Sequence, residues 1–459
     1  MPQLDLVIRG GRIVTASSDM HADIGIAGGR IMQIGGQMHA RQELDASGKL
    51  LFPGGVDAHV HLSSPAGHAT IRRAENFASG SAAAAAGGVT TVGNMTWPAL
   101  GESLVAAMER EGAIVRTDSV VDVFFHPILR EVTGAVLDEI PRLLVAGCNS
   151  IKYFMMFPEF ERQVHDYLAA TRSAGAHGLI TLIHCEDEPL IQDATNQLIN
   201  AGKSAVRYYA DAHPVISEVV ATQRAIAFAE VTGAPVYIVH LASERALAAC
   251  AEAQARGLPV YVEVRPIYLH LTRERFNEPD GAKYVGNPPL RSRSDVEALW
   301  SGIQNGTVHT VCTDHAPYYL AEKLDPALTV ATARPGVENL QTMIPMLFSE
   351  GVRTGRISLS RFVEVIATNA AKLFGLYPRK GTIAVGSDAD IVIFDPLKTQ
   401  TITNEMLYAN VDYTPFAGWE VTGWPIVTVR RGEVIFRDNQ VTGQAGSGTP
   451  LSRGATQLL

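Results

Sequence analysis

Residues 51–61 read LFPGGVDAHVH, an apolar run interrupted by a Gly-Gly pair and closed by two histidines one residue apart. Alternate side chains of a strand share a face, so His59 and His61 point the same way and Val60 the other. Working outward, seven further β-branched or aromatic runs alternate with Ala- and Leu-rich helical stretches: VTTVGNM (89–95), VVDVFFH (120–126), NSIKYF (149–154), LITLIH (179–184), VYIVH (236–240), PVYVEVR (259–265) and VHTVCTD (308–314). That alternation predicts βα units around a parallel sheet. Eight units fit a (β/α)8 barrel, for which roughly 250 residues is typical, and in that fold the chemistry sits at the C-terminal strand ends. Most of these runs end on a polar or ionisable residue.

The flanks have another texture. LDLVIRGGRIVT, HADIGIAGGRIMQIG and RQELDASGKLLFPG read as short strands with glycine at the turns, and the pattern returns in GTIAVGSDADIVIFDP and VTVRRGEVIFRDNQ. Neither flank can build a core alone, so residues 1–50 and 380–459 are expected to form one composite β-sandwich, leaving 51–379 to the barrel. The tail from Gly443, GQAGSGTPLSRGATQLL, is expected to be flexible or to dock as an arm on another subunit.

With 47 acidic against 38 basic residues among 459, the net charge is −9 and no Lys/Arg block occurs, which excludes a partner held through nucleic-acid phosphates. Cys148, Cys185, Cys250 and Cys312 are widely spaced with no CxxC pair, so neither a disulfide framework nor a zinc knuckle is expected. Asp5 interrupts the first apolar stretch and no 18-residue apolar run exists, so the expectation is a cytoplasmic protein without signal peptide or membrane partner.

The HxH of His59 and His61 is half of a metal site. His184 in LITLIHCE, His240 in VYIVHLAS and Asp314 in VCTDHAPY each close an apolar run in a different βα unit and so converge on the same rim. Any one of these histidines alone reads as well as a hydrogen-bonded core residue; together, four imidazoles and a carboxylate exceed one tetrahedral site and suggest two divalent metals sharing a bridge. Lys152 lies between the apolar neighbours Ile151, Tyr153 and Phe154. Burial favours its neutral amine, which can add carbon dioxide to form a carbamate (N6-carboxylysine) with two oxygens able to bridge two cations; a lysine snorkelling to the rim is the alternative. His126, His165, His177, His213, His270 and His309 read as surface or packing residues, and His315 as a support for the ligands.

VDAHVH, the strand-ending Lys152, the two single histidines and TDHAPY, in this order, resemble the cyclic amidohydrolases: hydantoinases, dihydropyrimidinases and allantoinases, with dihydroorotases more distant. The resemblance extends over HPVISEVVATQRA, PPLR (288–291) and NAAKLFGLYPRKGTIAVGSDADIVIFDP. It implies that His59, His61 and Asp314 hold one metal, that His184 and His240 hold the other, and that carboxylated Lys152 bridges them. Zinc is the expected ion, with manganese or cobalt able to use the same ligands. The implied reaction opens a 5-substituted hydantoin or dihydropyrimidine to an N-carbamoyl amino acid: a metal-bridging hydroxide attacks the ring carbonyl, and Asp314 carries the proton to the leaving nitrogen. The alternatives are an allantoinase or dihydroorotase-like ring hydrolase and, outside enzymes, an inactive assembly protein, which the intact ligand set argues against. Relatives are commonly dimers or tetramers, which implies a homodimer or homotetramer.

Departures from the family pattern bear on substrate. Where dihydropyrimidinases and D-selective hydantoinases carry a tyrosine five residues after the bridging lysine, this chain has Phe157, without a donor; Tyr153 and Tyr318 are candidate replacements. Asn287 stands where relatives offer backbone groups to the ring. Arg265 stands where many relatives have a small residue, and either binds an acidic ring substituent or pairs with a structural acid such as Glu263 or with a loop residue. The loops implied to contact the exocyclic group offer Ser63, Ser64, Pro65 and His68; Met95 and Trp97; and Phe157 and Phe160. This apolar, aromatic set suits a bulky substituent or, equally, ordinary loop packing.

Overall fold

The structure, a computed structural model, describes residues 3–64 and 74–459; Pro65 and His68 lie outside the described residues. Its fold is α/β. Eight parallel strands carry the predicted runs: β1 (Gly55–Val60), β2 (Val89–Thr96), β3 (Asp122–Pro127), β4 (Ser150–Phe154), β5 (Ile180–His184), β6 (Val236–Ile238), β7 (Val260–Val264) and β8 (Thr310–Val311). They form two sheets, β3-β2-β1 and β4-β5-β6-β7-β8. Single parallel bridges, Ile128 to Lys152 and Val60 to His315, lie at the two seams between them. Nearly every strand residue is buried on both faces, as parallel strands covered by helices require.

The run 51–61 is not one strand. Leu50–Pro53 pairs antiparallel with Ile391–Thr401, and β1 begins only at Gly55. The break is Gly54, where an added Cβ would lie 2.2 Å from Thr90 Oγ1, so only glycine permits the crossing from one sheet to the other. β6 and β8 are likewise shorter than their apolar runs, leaving His240 and Asp314 beyond the strand ends.

The two ends of the chain do share a sheet. Seven strands combine Arg12–Val14, Asp19–His21 and Leu50–Pro53 with Ile391–Thr401, Glu420–Arg430, Glu433–Arg437 and Gln440–Val441, while Leu4–Arg9, Ile24–Ala27, Arg30–Ile34 and Ala40–Asp45 make a second sheet of four. Leu6, Ile8, Ile24 and Ile26 of the four-stranded sheet and Ile391, Ile393, Val427 and Val429 of the seven-stranded one bury a common apolar cluster. Lys380 ties this region to the parallel strands: its buried ammonium lies 2.7 Å from Asp122 at the start of β3, 2.7 Å from Asp390 and 3.1 Å from Asp388.

The tail from Gly443, expected to be flexible or an arm for another subunit, lies against its own chain. Backbone N–H groups of Gly448, Leu451, Arg453 and Gln457 donate to the carbonyls of Ser119, Val123, Gly147 and Lys372 at 2.7–3.1 Å. The buried Arg453 guanidinium donates to Phe125 O at 2.6 Å and Ser150 Oγ at 3.0 Å. The glycines that suggested freedom serve close packing instead: a Cβ on Gly448 would sit 2.1 Å from Val121 O. All four cysteines are free and buried, and no described helix is long and apolar enough to cross a membrane.

Candidate metal centre

The candidate donors assemble in or just past β1, β4, β5, β6 and β8. His59 Nδ1 donates to Glu263 Oε1 at 2.8 Å, which leaves Nε2 as the lone pair available to a cation. That Nε2 lies 3.3 Å from Asp314 Oδ1, and His61 Nε2 lies 3.0 Å from the same oxygen. His59, His240 and Asp314 each place a donor atom within 4.8 Å of the others. The His184 ring meets His240 edge-on at 4.5 Å. Its Nε2 bonds Glu186 at 2.8 Å, leaving Nδ1 for a metal, and the other Glu186 oxygen receives His213 Nδ1 at 2.9 Å. Burial lowers the pKa of His184 and His240, which keeps both in the neutral form that binds cations.

Lys152 is fully buried on β4, and its Nζ has no hydrogen-bond partner among the described residues. The nitrogen lies 4.7 Å from the centre of the Phe154 ring, which in turn is 5.4 Å from His184. Burial pulls its pKa down to about 8. A buried amine with a lowered pKa and no partner among the described residues, beside neutral imidazoles and one carboxylate, fits a carbamate-bridged cation pair.

Two of the donors are held in unusual backbone conformations. His240 and Asp314 have φ of 40° and 46°, in the left-handed region that non-glycine residues seldom occupy, at a cost of about 1–3 kcal/mol each. Glu263 Oε1 accepts the His240 N–H at 2.8 Å, as well as the His59 proton, and Glu263 Oε2 accepts from the Tyr237 hydroxyl at 2.9 Å. One buried carboxylate therefore orients the His59 ring and pins the backbone that carries His240. Glu263→Gln is expected to weaken metal binding by about 10–100-fold, read by chelator competition; a change below about twofold would show that the orientation does not depend on it.

Arg265 takes the second of its two expected roles, pairing with an acid of the chain, and that acid is Asp314 beyond β8. It is fully buried, with Nη1 3.1 Å from Asp314 Oδ2, Nε donating to Thr313 O at 3.1 Å and Nη1 3.5 Å from the Tyr268 hydroxyl. Its charge is engaged by Asp314, so it pairs with that carboxylate rather than with Glu263, and it offers no open fork to a substrate carboxylate. Burial opposes ionisation of Asp314, but Arg265, followed by His59 and His61, holds its carboxyl well below the usual range.

Around the rim, Trp97 stacks on Phe154 at 5.6 Å, and Phe157 packs 4.9 Å from Phe154 and 6.4 Å from Trp97. Phe157 and Ser64 are exposed, whereas Met95 is buried in the main apolar cluster. Phe160 turns into the core beside Tyr153 and Tyr167 rather than to the mouth. Tyr153 cannot stand in for a hydroxyl at 157: alternation sends it away from Lys152, and its OH bonds Thr171 at 3.1 Å. Tyr318 is buried. His315 lies aside from the donors, its Nδ1 accepting from the Asn339 N–H at 3.3 Å.

Glu263, Glu186, His213 and Glu111 were not assigned to the site from sequence. For the first two a signal existed: an acid inside the apolar run VYVEV, and an acid two residues after a strand-ending histidine. Glu111 faces inward from helix Leu104–Asp118 and accepts from Ser63, Asn94 and Thr96 at 2.8–2.9 Å, fixing the start of the loop after β1. Burial raises its pKa to about 7. The folded state thus keeps a proton that the unfolded chain releases near pH 4.5, so this stability is full below about 4.5 and lost as pH rises through about 7. Glu111→Gln is expected to remove a stability loss on the order of 2–3 kcal/mol between about pH 5 and 8, seen by denaturant titration at several pH values; an unchanged pH profile would contradict it.

The family model of the amidohydrolases ("Amidohydrolase family") matches residues 50–435. The chain belongs to the amidohydrolase family. Among its relatives, a D-phenylhydantoinase of Escherichia coli is 38% identical over 418 residues, covering 90% of this chain and 89% of that one. A D-hydantoinase of Streptomyces coelicolor is 35% identical over 467 residues, covering 99% of both. The crystal structure of dihydropyrimidinase from Brevibacillus agri superposes with a TM-score of 0.93 at 36% identity, covering 98% of this chain and 99% of that one. Similarity to these members of the amidohydrolase family thus extends past the donor-bearing strands into both terminal flanks.

Proposed function

We propose that the protein opens the ring of a 5-substituted hydantoin or dihydropyrimidine to an N-carbamoyl amino acid at a two-metal centre. The observation that carries this reading is the buried amine of Lys152, without a hydrogen-bond partner among the described residues, amid His59, His61, His184, His240 and Asp314. Left as it is, such a group costs roughly 2 kcal/mol or more; as a carbamate it becomes an anion with two oxygens. His59, His61 and Asp314 would hold one cation, His184 and His240 the second, and Lys152 both, with zinc the expected ion. Bound cations supply a polarised carbonyl and water acidified toward neutrality.

The chain's own groups do the rest. Asp314 takes the proton of the attacking water and delivers it to the ring nitrogen, while Arg265 pairs with Oδ2 and holds the carboxylate in place. Trp97, Phe154 and Phe157 form an apolar wall for a bulky, aromatic exocyclic group. Relatives named for hydantoin, phenylhydantoin and dihydropyrimidine support the same ring chemistry. Under this reading the eight parallel strands close as a barrel through the Ile128–Lys152 and Val60–His315 bridges, and the two terminal sheets make a composite sandwich whose boundary with the barrel falls at Gly54.

Steady-state assays of metal-replete protein on 5-phenylhydantoin, dihydrouracil, allantoin, dihydroorotate and succinimide test it. Turnover of the first two, with the phenyl compound preferred, is expected; inertness toward both with turnover of allantoin would overturn it. Metal content below about one equivalent per chain would overturn the two-metal centre.

A further inference from the structure

The wall formed by Trp97, Phe154 and Phe157 holds no hydroxyl, yet a ring ureide has a second carbonyl besides the one under attack. The segment Val285–Pro288 crosses the rim beside Asp314. Val285 O accepts from Lys323 Nζ at 2.8 Å and from Gly336 N at 3.0 Å, and Pro288 O accepts from the Tyr268 hydroxyl at 2.5 Å. Gly286 packs on Arg265, where an added Cβ would lie 2.9 Å from Nη1. This backbone is therefore pinned next to the Arg265–Asp314 pair. From it the half-exposed Asn287 side chain reaches to Met156, beside Phe157 and four residues beyond Lys152.

The buried Tyr209 hydroxyl donates to Asn287 Oδ1. Tyr209 is itself packed 4.6 Å from His213, the residue bonded to Glu186 behind His184. Among the described residues, the one hydrogen-bond partner of Asn287 Nδ2 is the Met156 thioether, at 3.7 Å. A thioether accepts weakly and donates nothing, so the flipped amide would set two acceptors against each other; the hydroxyl of Tyr209 thus fixes the amide with its N–H groups outward. Among the described residues, at least one of its strong donors has no strong acceptor, on a side chain that runs from the Gly286–Arg265 contact to Met156.

We propose that the Asn287 side-chain amide, oriented by Tyr209, donates the hydrogen bond that aligns the ring carbonyl not under attack, which makes Tyr209 a positioning residue. This rests on the ring-opening reading above. Asn287→Ala and Asn287→Asp, the second keeping size and the acceptor for Tyr209 but removing the donor, are expected to lower kcat/KM on 5-phenylhydantoin about tenfold. Both are also expected to weaken calorimetric binding of the N-carbamoyl product, which retains that carbonyl. Replacing the oxygen by sulfur gives a weaker acceptor, so the wild-type preference for hydantoin over 2-thiohydantoin should shrink in both variants. Tyr209→Phe is expected to cost about threefold to tenfold in the wild-type background and nothing further on Asn287→Ala, because its hydroxyl acts only through the amide.

Additive losses in that double variant, or an oxygen-to-sulfur preference unchanged by Asn287→Ala and Asn287→Asp, would overturn the inference while leaving the functional reading intact. Wild-type protein that opens neither hydantoin nor dihydrouracil would overturn both.

Discussion

Lys152→Ala loses bound metal and turnover together, with kcat/KM falling by about 10³-fold or more, equivalent to ~4 kcal/mol of transition-state stabilisation. The expectation follows from the position of the amine: fully buried on β4, with no partner among the described residues, and held by burial at a pKa of about 8, where a substantial neutral fraction exists near physiological pH. The alanine variant keeps His59, His61, His184, His240 and Asp314 but has no group to join the two sets. The void left by the aminobutyl chain is open to a small anion, so acetate or propionate should restore part of both metal content and rate by supplying two oxygens in the same place. Lys152→Arg, which cannot form a carbamate, should not be rescued. Isotopically labelled carbon dioxide should give a carbamate signal in wild-type protein and none in either variant, a readout independent of catalysis. A fully metallated, active Lys152→Ala protein would refute the bridge.

The sequence pattern showed which side chains lie together better than it showed the backbone that carries them. Alternation placed His59 and His61 on one face and separated Lys152 from Tyr153, because these residues lie in or at the ends of regular strands where period two holds. It failed to show that LFPGGVDAHVH belongs to two sheets, since the deciding contact, Gly54 against Thr90, joins residues far apart in sequence. It also failed at His240 and Asp314. Both were read as strand-ending residues, yet each lies past its strand in a left-handed turn sustained by tertiary bonds to Glu263 and Arg265. Tyr209 sits on the four-residue helix Tyr209–Ala212, too short to leave a periodic trace, and acquires its role only through Asn287. The tail misled because glycine content reports backbone freedom in the unfolded chain and says nothing about whether a groove such as that at Val121 awaits it.

Arg265→Met should separate what the fold needs from what the metals need. In metal-free protein the guanidinium is the only Arg or Lys cation in salt-bridge contact with Asp314 among the described residues, and both groups are buried. Removing one member of a buried pair strands the other, so the variant should lose about 3–5 kcal/mol of unfolding free energy when stripped of metal. Methionine fills much of the vacated space, which keeps the cavity contribution small. Cations bound by His59, His61 and Asp314 would take over the neutralising role of the guanidinium, and any ion that binds only the native state adds stability in proportion to its affinity. Zinc should therefore stabilise Arg265→Met more than it stabilises wild type, and the gap between the two denaturation midpoints should narrow on metal loading. A gap of the same size with and without zinc would mean that Arg265 serves packing and its bond to the Thr313 carbonyl alone, and that its charge has no part in setting up Asp314.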